Sequence, residues 1–484
     1  AFGVTSSRQP GGCIQVGNDN LIVPLAGHLL QTVRPAEYLS EEHARIERFR
    51  EFHRYPEFLP ILPPHLIKEP RREVGAKGKP GKIFEPFEVA ARVLKNAKEI
   101  VNAGDIDREG QYIVDELLEY LNIDPYGKKP MVWRFGMASN LPQDIAAGVK
   151  AGLERNSDPQ WVLRSKAAKT RAYLDYCWGM NLSMVGQVQH KNSRISAGRV
   201  QTPVLAMVHN RCQAIEKFVP TKYFVPVITL KNGTEMRWVK REGAEGMPGF
   251  DTEGRIINEA LGREIVSRIA AGLPGHCSVA KVTQHSEKPP LPFSLSSLQA
   301  SASKEFGMTL DEVGECAKGL YQKHKAISYI GTDCKFLPTS MHANAPDLLR
   351  ALAGVFPKHA PGADARLVSP AFNDAKLDEH YAIIPTGQMP NGASPEEMNV
   401  FRMISRRFIA QFYPDYVFQR TKIEGVFGQD TFESNARQDV RLGWQEVEGR
   451  GNLVKDEQGE AGGSDPADDE VDKDLPAQEI REVQ

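Results

Sequence analysis

Three carboxylates within five residues, Asp105, Asp107 and Glu109, constrain this chain more than any other feature. The short β-like run 99–103 precedes them, and a stretch with apolar side chains at helical spacing, 111–123, follows them. The acids therefore lie where a strand ends and a helix begins, which is where open α/β sheets bind ligands. Because three like charges this close repel one another, the cluster favours a cation between them.

This acid cluster has two interpretations. Carboxylate oxygens on a turn suit Mg²⁺, which keeps several waters and commonly bridges to substrate phosphates. Acids also favour the positive end of a helix without binding any metal. The D-x-D-x-E pattern by itself leaves both interpretations open, so the rest of the chain has to decide between them.

Size and cysteine usage narrow the class of protein. A chain of 484 residues predicts roughly three domains. It contains no apolar run of the roughly 20 residues that span a bilayer, and no basic start followed by an apolar core that would predict a secretory signal. The six cysteines are scattered without a C-x-x-C pair, which argues against a zinc site or a disulfide framework and fits a reducing compartment. Residue 1 is alanine, so we expect the chain to begin inside a longer gene product.

Charge is distributed unevenly along the chain. The formal net charge is −2, but the segment 456–484 holds eleven acids and two bases, which leaves the remainder with a charge of +7. A mildly basic body with an acidic tail fits a protein that binds a polyanion. No G-x-x-x-x-G-K-[ST] motif occurs, which argues against an ATP-driven machine.

The order of predicted elements divides the chain into regions of different class. Strand and helix patterns alternate over 1–150, which predicts an α/β unit with a mostly parallel sheet. Helical patterns dominate 151–217, and β-like alternation occurs on both sides of a helical insert at about 286–415. The two β-rich pieces are therefore predicted to form one discontinuous domain. The helices predicted in the insert are 295–306, 309–323 and 395–412.

Several stretches together resemble the type IA DNA topoisomerases, and among them bacterial topoisomerase III. They occur in the family's order and spacing and cover nearly the whole chain. These stretches are GDIDREGQYIVDELL (104–118), SAGRVQTPVL (196–205), PLPFSLSSLQ (290–299), ISYIGTDCKFLP (327–338) and DEHYAIIPT (378–386).

The resemblance implies a multidomain α/β plus α plus β fold, a toroidal core around a hole large enough for DNA. The domains it implies are a Toprim-type metal-binding α/β domain without its N-terminal strand (1–150), a helical single-strand-binding domain (151–217), a β-rich arch (218–285 and 416–450), a nucleophile-bearing helical domain (286–415) and an acidic linker or tail (451–484).

The resemblance also assigns the chemistry. Tyr329 matches the tyrosine that attacks a DNA phosphodiester, forming a 5′-phosphotyrosine that keeps the bond energy for resealing without ATP. Asp105, Asp107 and Glu109 would hold Mg²⁺ against the substrate phosphates, where stabilisation of charge carries the catalysis. His380 matches the histidine that contacts the scissile phosphate.

Residues along the expected path of the DNA strand form a second group. Their contacts would go to the backbone phosphates, which gives affinity rather than sequence choice. Trp178 could stack a base, but a core tryptophan is the commoner role. The DNA-binding candidates are Arg199, Gln201, Arg171, Asp175, Lys325 and Lys335.

Two departures from the family pattern bear on activity. In the family, a strand ends in a catalytic glutamate that is closely followed by a lysine. This strand comes before the part of the family that Ala1 onward matches, so neither residue can be named in the sequence given. The arginine that usually stands two residues after the tyrosine is Gly331 here. Such an arginine would neutralise phosphate charge, and each ~1.4 kcal/mol is tenfold in rate. We therefore expect the chain as given to cleave and relax DNA poorly.

Three functions follow as alternatives. The first is an ATP-independent topoisomerase that acts on single-stranded, negatively supercoiled or catenated DNA in the bacterial cytoplasm, as a monomer, away from membranes and with a helicase as a candidate partner. The second is a catalytically impaired relative that binds single-stranded DNA. The third is a primase or nuclease on the same acidic domain, which would leave 286–386 without a role.

Overall fold

The computed structural model describes residues 6–8, 12–17, 19–25, 27–39, 59–73, 81–136, 142–190, 195–241, 243–449 and 478–481. The chain divides into two units, Ala1–Lys217 (unit 1) and Phe218–Gln484 (unit 2), and each is described by itself. The division falls between residues 217 and 218, and the domain boundaries expected from the sequence stay predictions.

Unit 1 combines short strands with longer helices. Its strands are β1 (Ser6–Arg8), β2 (Ile14–Val16), β3 (Asn20–Ile22), β4 (Leu30–Thr32), β5 (Lys68–Pro70), β6 (Glu99–Asn102), β7 (Met131–Arg134) and β8 (Glu154–Arg155). Its helices are α1 (Glu85–Lys95), α2 (Arg108–Tyr120), α3 (Pro142–Ala151), α4 (Pro159–His190) and α5 (Gln201–Glu216).

The sheets of unit 1 are mainly antiparallel, so the prediction of a mostly parallel sheet is wrong for the described residues. Among these strands only β6 and β7 pair in parallel; β1–β2, β2–β3, β4–β5 and β7–β8 are antiparallel. A parallel pair needs a crossover connection, and α2 lies between β6 and β7 in the chain. By contrast, a tight turn at Gly17, with a φ of 65°, joins β2 to β3. Strand β8 also extends this α/β sheet past the predicted boundary at 150.

Helix α2 is held from two sides, and this fixes the position of its first turn. Leu117 packs in an apolar cluster with Phe87 of α1, whereas Leu118 packs with Ile100 of β6 and Val132 of β7. Both leucines are fully buried. Burial of a leucine side chain stabilises a fold by roughly 1.5–3 kcal/mol. The acid cluster therefore begins a helix that is anchored to both neighbouring strands.

Unit 2 contains one large sheet and a group of helices. Its strands are β9 (Phe224–Thr229), β10 (Glu235–Arg241), β11 (Gly275–Glu287), β12 (Tyr416–Phe427), β13 (Asp430–Arg441) and β14 (Gln478–Arg481). Its helices are α6 (Glu259–Ala270), α7 (Leu295–Phe306), α8 (Leu310–Gln322), α9 (Ala345–Leu352), α10 (His359–Gly362), α11 (Pro395–Ala410) and α12 (Gln445–Glu448).

The six-stranded sheet of unit 2 has the strand order β11-β12-β13-β10-β9-β14. It therefore joins the β-rich pieces that precede and follow the helical insert. Strand β14, which lies within the predicted linker or tail 451–484, pairs in parallel with β9. Residues 478–481 form a strand because their backbone pairs with that of β9. The acidic composition of the surrounding sequence does not predict this strand. The rest of the predicted tail lies outside the described residues.

Local signals define the helices of the insert. Ser294, Thr309 and Ser394 cap α7, α8 and α11, each in a capping box with the residue three positions later. Such caps satisfy backbone N–H groups that have no partner inside the helix. The helices predicted at these places are confirmed, and α11 ends at Ala410, two residues before the predicted end. None of the described helices combines the length and apolar character needed to span a membrane.

Candidate active site

The acid loop, defined as residues 103–109, runs from the end of β6 into the first turn of α2. Asp107 is the N-cap of α2, and its Oδ1 accepts a hydrogen bond of 2.6 Å from the Gly110 amide. Asp107 thus has the helix-start role that the sequence pattern also allowed. Asp105 is half-buried and Glu109 is exposed.

Two glycines let the acid loop fold tightly against α2. A Cβ on Gly110 would lie 2.5 Å from the Asp105 carbonyl oxygen and 2.7 Å from the Asp105 amide nitrogen. A Cβ on Gly104 would lie 2.7 Å from the Gly110 carbonyl oxygen. Because the blocking atoms belong to the backbone, they have little room to give way. The two glycines of G-D-I-D-R-E-G are therefore a packing requirement of the loop.

Two arginines that the sequence analysis did not single out for this loop hold its carbonyl groups. Arg134 is fully buried and donates hydrogen bonds from one nitrogen to the carbonyls of Asn102 (2.9 Å) and Gly104 (2.8 Å), and from the other to that of Asp105 (2.6 Å). Arg164 of α4 donates to the Ile106 carbonyl at 2.5 Å. Both guanidinium groups lie over the ring of Trp161, at 4.7 and 5.4 Å. Burial lowers the pKa of Arg134 to about 10, so it stays charged at neutral pH.

The outermost acid, Glu109, is tied to a histidine. His28 Nε2 lies 2.9 Å from Glu109 Oε1, and His28 Nδ1 contacts buried Glu116, which also pairs with Lys68 at 3.1 Å. The hydrogen bond with Glu116 raises the pKa of His28. His28 therefore connects one acid of the loop to a buried ion pair.

The three acids do not converge on one point. Among the described residues, no group of three or more His, Cys, Asp or Glu side chains is arranged to hold a metal ion. Their donor chemistry nevertheless suits Mg²⁺, because all three are hard carboxylate oxygens on one turn. The Asp105 carboxylate is half-buried, and its negative charge acts on the nearby guanidinium group of Arg134.

In unit 2, three separate stretches meet around Tyr329. Ser328 is completely buried; its amide donates to the Ile384 carbonyl at 2.9 Å and its hydroxyl donates to the Ala382 carbonyl at 3.0 Å. The Ile383 amide donates to the Phe293 carbonyl at 2.8 Å. The fold thus brings together the stretches 290–299, 327–338 and 378–386, which lie far apart in the sequence.

Two aromatic rings lie against the ring of Tyr329 within this group. His380, which is buried, lies with its ring centroid 4.5 Å from that of Tyr329, and Tyr321 of α8 makes an edge contact at 5.6 Å. The predicted nucleophile and its predicted phosphate contact are therefore neighbours. Tyr321 was not predicted to contribute.

The two lysines predicted near the nucleophile have different surroundings. Lys325 has a φ of 54°, unusual for a residue with a side chain, and its carbonyl accepts a hydrogen bond of 2.7 Å from Thr386. Its ammonium lies 5.6 Å from the centre of the Tyr321 ring. Strained residues of this kind are common at functional sites. Lys335 is half-buried, six residues after Tyr329.

The DNA-binding candidates of unit 1 cluster at an exposed site. Arg199 Nε lies 2.6 Å from Asp175 Oδ1, and Arg171 Nε lies 3.6 Å from Asp175 Oδ2. The hydrogen bond from Arg199 lowers the pKa of Asp175. Gln201 hydrogen-bonds Ser196 at 3.4 Å, and Trp178 is 60% exposed, so it is not the core tryptophan that was the commoner expectation.

This cluster yields a prediction about single-strand affinity. A phosphate must compete with Asp175 for Arg199, so Asp175→Asn is expected to tighten binding of a labelled oligonucleotide several-fold at low salt. Arg199→Ala is expected to weaken it and to reduce the slope of log K against log salt by about 0.7. Fluorescence anisotropy at several salt concentrations measures both effects.

Asp347→Asn, which removes an acid paired with Arg350 at 2.8 Å in unit 2, is the matched control and should leave affinity unchanged. Equal affinities for all variants would contradict the assignment.

The residues that sequence reasoning missed left weak signals. Val132 and Arg134 lie two apart on one strand and are both buried, so a charged residue occupies a core-facing position. A buried arginine needs hydrogen-bond acceptors close to it in the core, so this pattern indicates that Arg134 has such acceptors. His28 and Arg164 gave no comparable signal, because their partners are 81 and 58 residues away.

Comparison with known proteins identifies the family to which this chain belongs. Residues 162–474 match the family described as DNA topoisomerase. The chain is 34% identical to DNA topoisomerase 3 of Vibrio cholerae over 459 residues, which is 92% of this chain and 67% of that protein. It is 33% identical to DNA topoisomerase 3 of Salmonella typhimurium over 455 residues, 91% of this chain and 66% of that protein.

A solved structure extends the comparison to three dimensions. Full-length topoisomerase I from Thermotoga maritima superposes with a TM-score of 0.58 at 20% identity, over 91% of this chain and 64% of that one. At this identity the likeness concerns the fold.

These matches define the class as a DNA topoisomerase of the type IA kind. The chain belongs to the bacterial DNA topoisomerase family, and the predicted resemblance to topoisomerase III is confirmed. The chain spans about two thirds of the length of these curated relatives. Neither the structure nor the comparisons support the impaired alternative.

Proposed function

We propose that this chain is the core of a type IA DNA topoisomerase that cuts one strand through Tyr329, passes a second strand and reseals the first without ATP. The observation that supports this most is the meeting of three distant stretches around Tyr329 and His380, in a chain of the topoisomerase family. The proposal includes the Toprim-type domain, the toroidal core and the domain boundaries expected from the sequence.

In the proposed reaction, Tyr329 Oη attacks the phosphorus of a DNA phosphodiester and loses its proton. The bond from phosphorus to the 3′-oxygen breaks, and that oxygen leaves as a hydroxyl after it takes up a proton. The 5′-phosphate stays on the tyrosine until the 3′-hydroxyl attacks it and releases the phenol. Each bond broken is replaced by one of the same kind, so the cycle needs no ATP.

The surrounding residues have distinct roles in this proposal. His380 contacts the scissile phosphate beside Tyr329, and Lys325 and Lys335 add positive charge near the nucleophile. Arg171, Arg199 and Gln201 bind the backbone of a single strand, with Asp175 restraining the arginines when no strand is bound.

Asp105, Asp107 and Glu109 would hold Mg²⁺ in this proposal. When bound, the metal supplies positive charge against the phosphoryl oxygens. Within the chain itself, Arg134 and Arg164 hold the backbone of the acid loop, and His28 orients Glu109.

We propose that the substrates are single-stranded stretches of negatively supercoiled or catenated DNA in the bacterial cytoplasm, and that the chain acts as a monomer. A helicase that supplies unwound strands remains an expectation from the family.

Trapping of the covalent intermediate tests the proposed function. A single-stranded oligonucleotide labelled at its 3′ end is mixed with the chain and Mg²⁺ without ATP, and the reaction is stopped with detergent. The label should migrate with the protein, and tryptic digestion should place the nucleotide on the peptide Ala326–Lys335. Addition of EDTA should reduce the adduct, and a 5′ label should stay free.

Other outcomes of this experiment would contradict the proposal. Cut ends without attached protein would indicate a nuclease, and extension of a primer with added nucleotides would indicate a primase. A protein-linked 5′ label would place the phosphotyrosine at the opposite end of the break.

A further inference from the structure

Gly331 lies directly under the phenol of Tyr329. A Cβ at position 331 would lie 2.7 Å from Tyr329 Oη and 2.9 Å from two carbons of its ring. Real Cβ atoms do not approach other atoms this closely, so any side chain at 331 has to displace the phenol. The displaced atoms form the far end of a rotatable side chain, so the ring rather than the backbone would move.

The backbone gives no other reason for a glycine here. Gly331 is exposed, and its φ is not among the positive values that favour glycine. What its missing side chain provides is space for the phenol, while the rings of His380 and Tyr321 lie 4.5 and 5.6 Å from the Tyr329 ring, centroid to centroid. The ring therefore lies against two aromatic neighbours and a stretch of bare backbone.

The adjoining backbone connects this resting position to the site. The Thr332 hydroxyl donates to the His380 carbonyl at 3.3 Å, and the Leu295 amide donates to the Thr332 carbonyl at 3.1 Å. The segment 331–332 is therefore fixed to the same stretches that carry His380 and the start of α7. A phenol that rests on Gly331 therefore lies beside His380, on backbone that these hydrogen bonds hold.

We propose that Gly331 is a positioning residue: its lack of a side chain lets the nucleophile rest beside His380, and the site of this chain is built around that glycine. This inference rests on the proposed function. Under it, an arginine at 331 is not a missing catalytic group that can be restored, because its Cβ occupies the space that the phenol now uses.

The test compares Gly331→Ala with wild type in two measurements. In protein labelled with 3-fluorotyrosine, the ¹⁹F resonance assigned to Tyr329 by its loss in Tyr329→Phe should shift in Gly331→Ala without DNA. The rate of covalent adduct formation should fall at least about tenfold, because small displacements of reacting atoms are costly. Thermal stability and single-strand affinity should not change, since the clash is with a movable ring.

Two further variants sharpen the test. Gly354→Ala is the matched control: Gly354 is also exposed in unit 2, and a Cβ there would meet no atom within 4 Å. It should leave both the Tyr329 resonance and the adduct rate at their wild-type values. Gly331→Arg should reduce the adduct rate at least as much as Gly331→Ala.

An unshifted resonance in Gly331→Ala together with a wild-type adduct rate would overturn the inference. A rate increase in Gly331→Arg would also overturn it, since it would show that the glycine is a deficit. If wild type forms no adduct at all, the proposed function fails, whereas the ¹⁹F comparison still decides whether Gly331 positions the phenol.

Discussion

Tyr329→Phe is expected to abolish the covalent adduct and the relaxation of negatively supercoiled plasmid, a loss of roughly 10⁴-fold or more. The substitution removes the attacking oxygen and keeps the ring. The contacts with His380 at 4.5 Å and Tyr321 at 5.6 Å involve the ring itself, so they should survive. The variant should therefore fold and bind a single strand like wild type.

Tyr321→Phe is the matched control for this prediction. Its ring packs against Tyr329 and lies 5.6 Å from the Lys325 ammonium, and both contacts depend on the ring rather than the hydroxyl. We expect it to retain adduct formation within a few-fold of wild type. Gel relaxation assays and detergent trapping measure the two activities in parallel.

Two outcomes would contradict the assignment of Tyr329 as the nucleophile. One is an adduct of normal yield in Tyr329→Phe, and the other is a loss of the adduct in Tyr321→Phe that is not matched by a loss in Tyr329→Phe. A loss in both variants would show instead that the hydroxyl of Tyr321 takes part. The ¹⁹F spectrum of each variant checks that the tyrosine left unchanged has kept its place: Tyr321 in Tyr329→Phe, and Tyr329 in Tyr321→Phe.

The sequence predicted best the parts of the fold that local interactions determine. Helices α7 and α8 follow from apolar spacing and from caps that lie within three residues of their partners. The acid loop could be placed between strand and helix for the same reason. Whether the three acids bind a metal was not decided by the sequence, and it stays a prediction.

Contacts between distant residues could not be predicted from local patterns. Asp105 and the Arg134 that holds its carbonyl are 29 residues apart, and His28 meets Glu109 across 81 residues. The parallel-sheet prediction was wrong for a related reason: alternation of strand and helix says nothing about tight turns such as that at Gly17. The family resemblance predicted that Tyr329 and His380 act on the same phosphate. It did not predict that the phenol of Tyr329 lies against Gly331, which only the geometry shows.

Arg134→Met is expected to lower the free energy of unfolding of unit 1 by about 3–5 kcal/mol. The arginine is fully buried and its hydrogen bonds go to carbonyl groups of the acid loop and its flanks. A buried acceptor that loses its donor costs roughly 1–3 kcal/mol, and methionine leaves several such acceptors at once. The loop that carries the three acids should therefore lose its fixed backbone.

Arg134→Met should also slow the proposed cleavage reaction. If the acid loop acts on the scissile phosphate as proposed, adduct formation should fall by about 10²-fold, because misplacement of catalytic groups by about 1 Å has this effect. Arg134→Lys should recover only part of the loss, since one ammonium cannot reach the carbonyls that the planar guanidinium fork spans. Single-strand binding at Arg199 should change less than adduct formation.

Hydrogen exchange and urea denaturation measure these effects separately. Exchange of the amides over 103–110 should accelerate in Arg134→Met, and the urea midpoint of unit 1 should fall. Arg155→Met is the control: Arg155 is exposed on the neighbouring strand β8, so its replacement should change stability by no more than about 0.5 kcal/mol. Unchanged protection of 103–110 in Arg134→Met would show that Arg134 does not hold the acid loop.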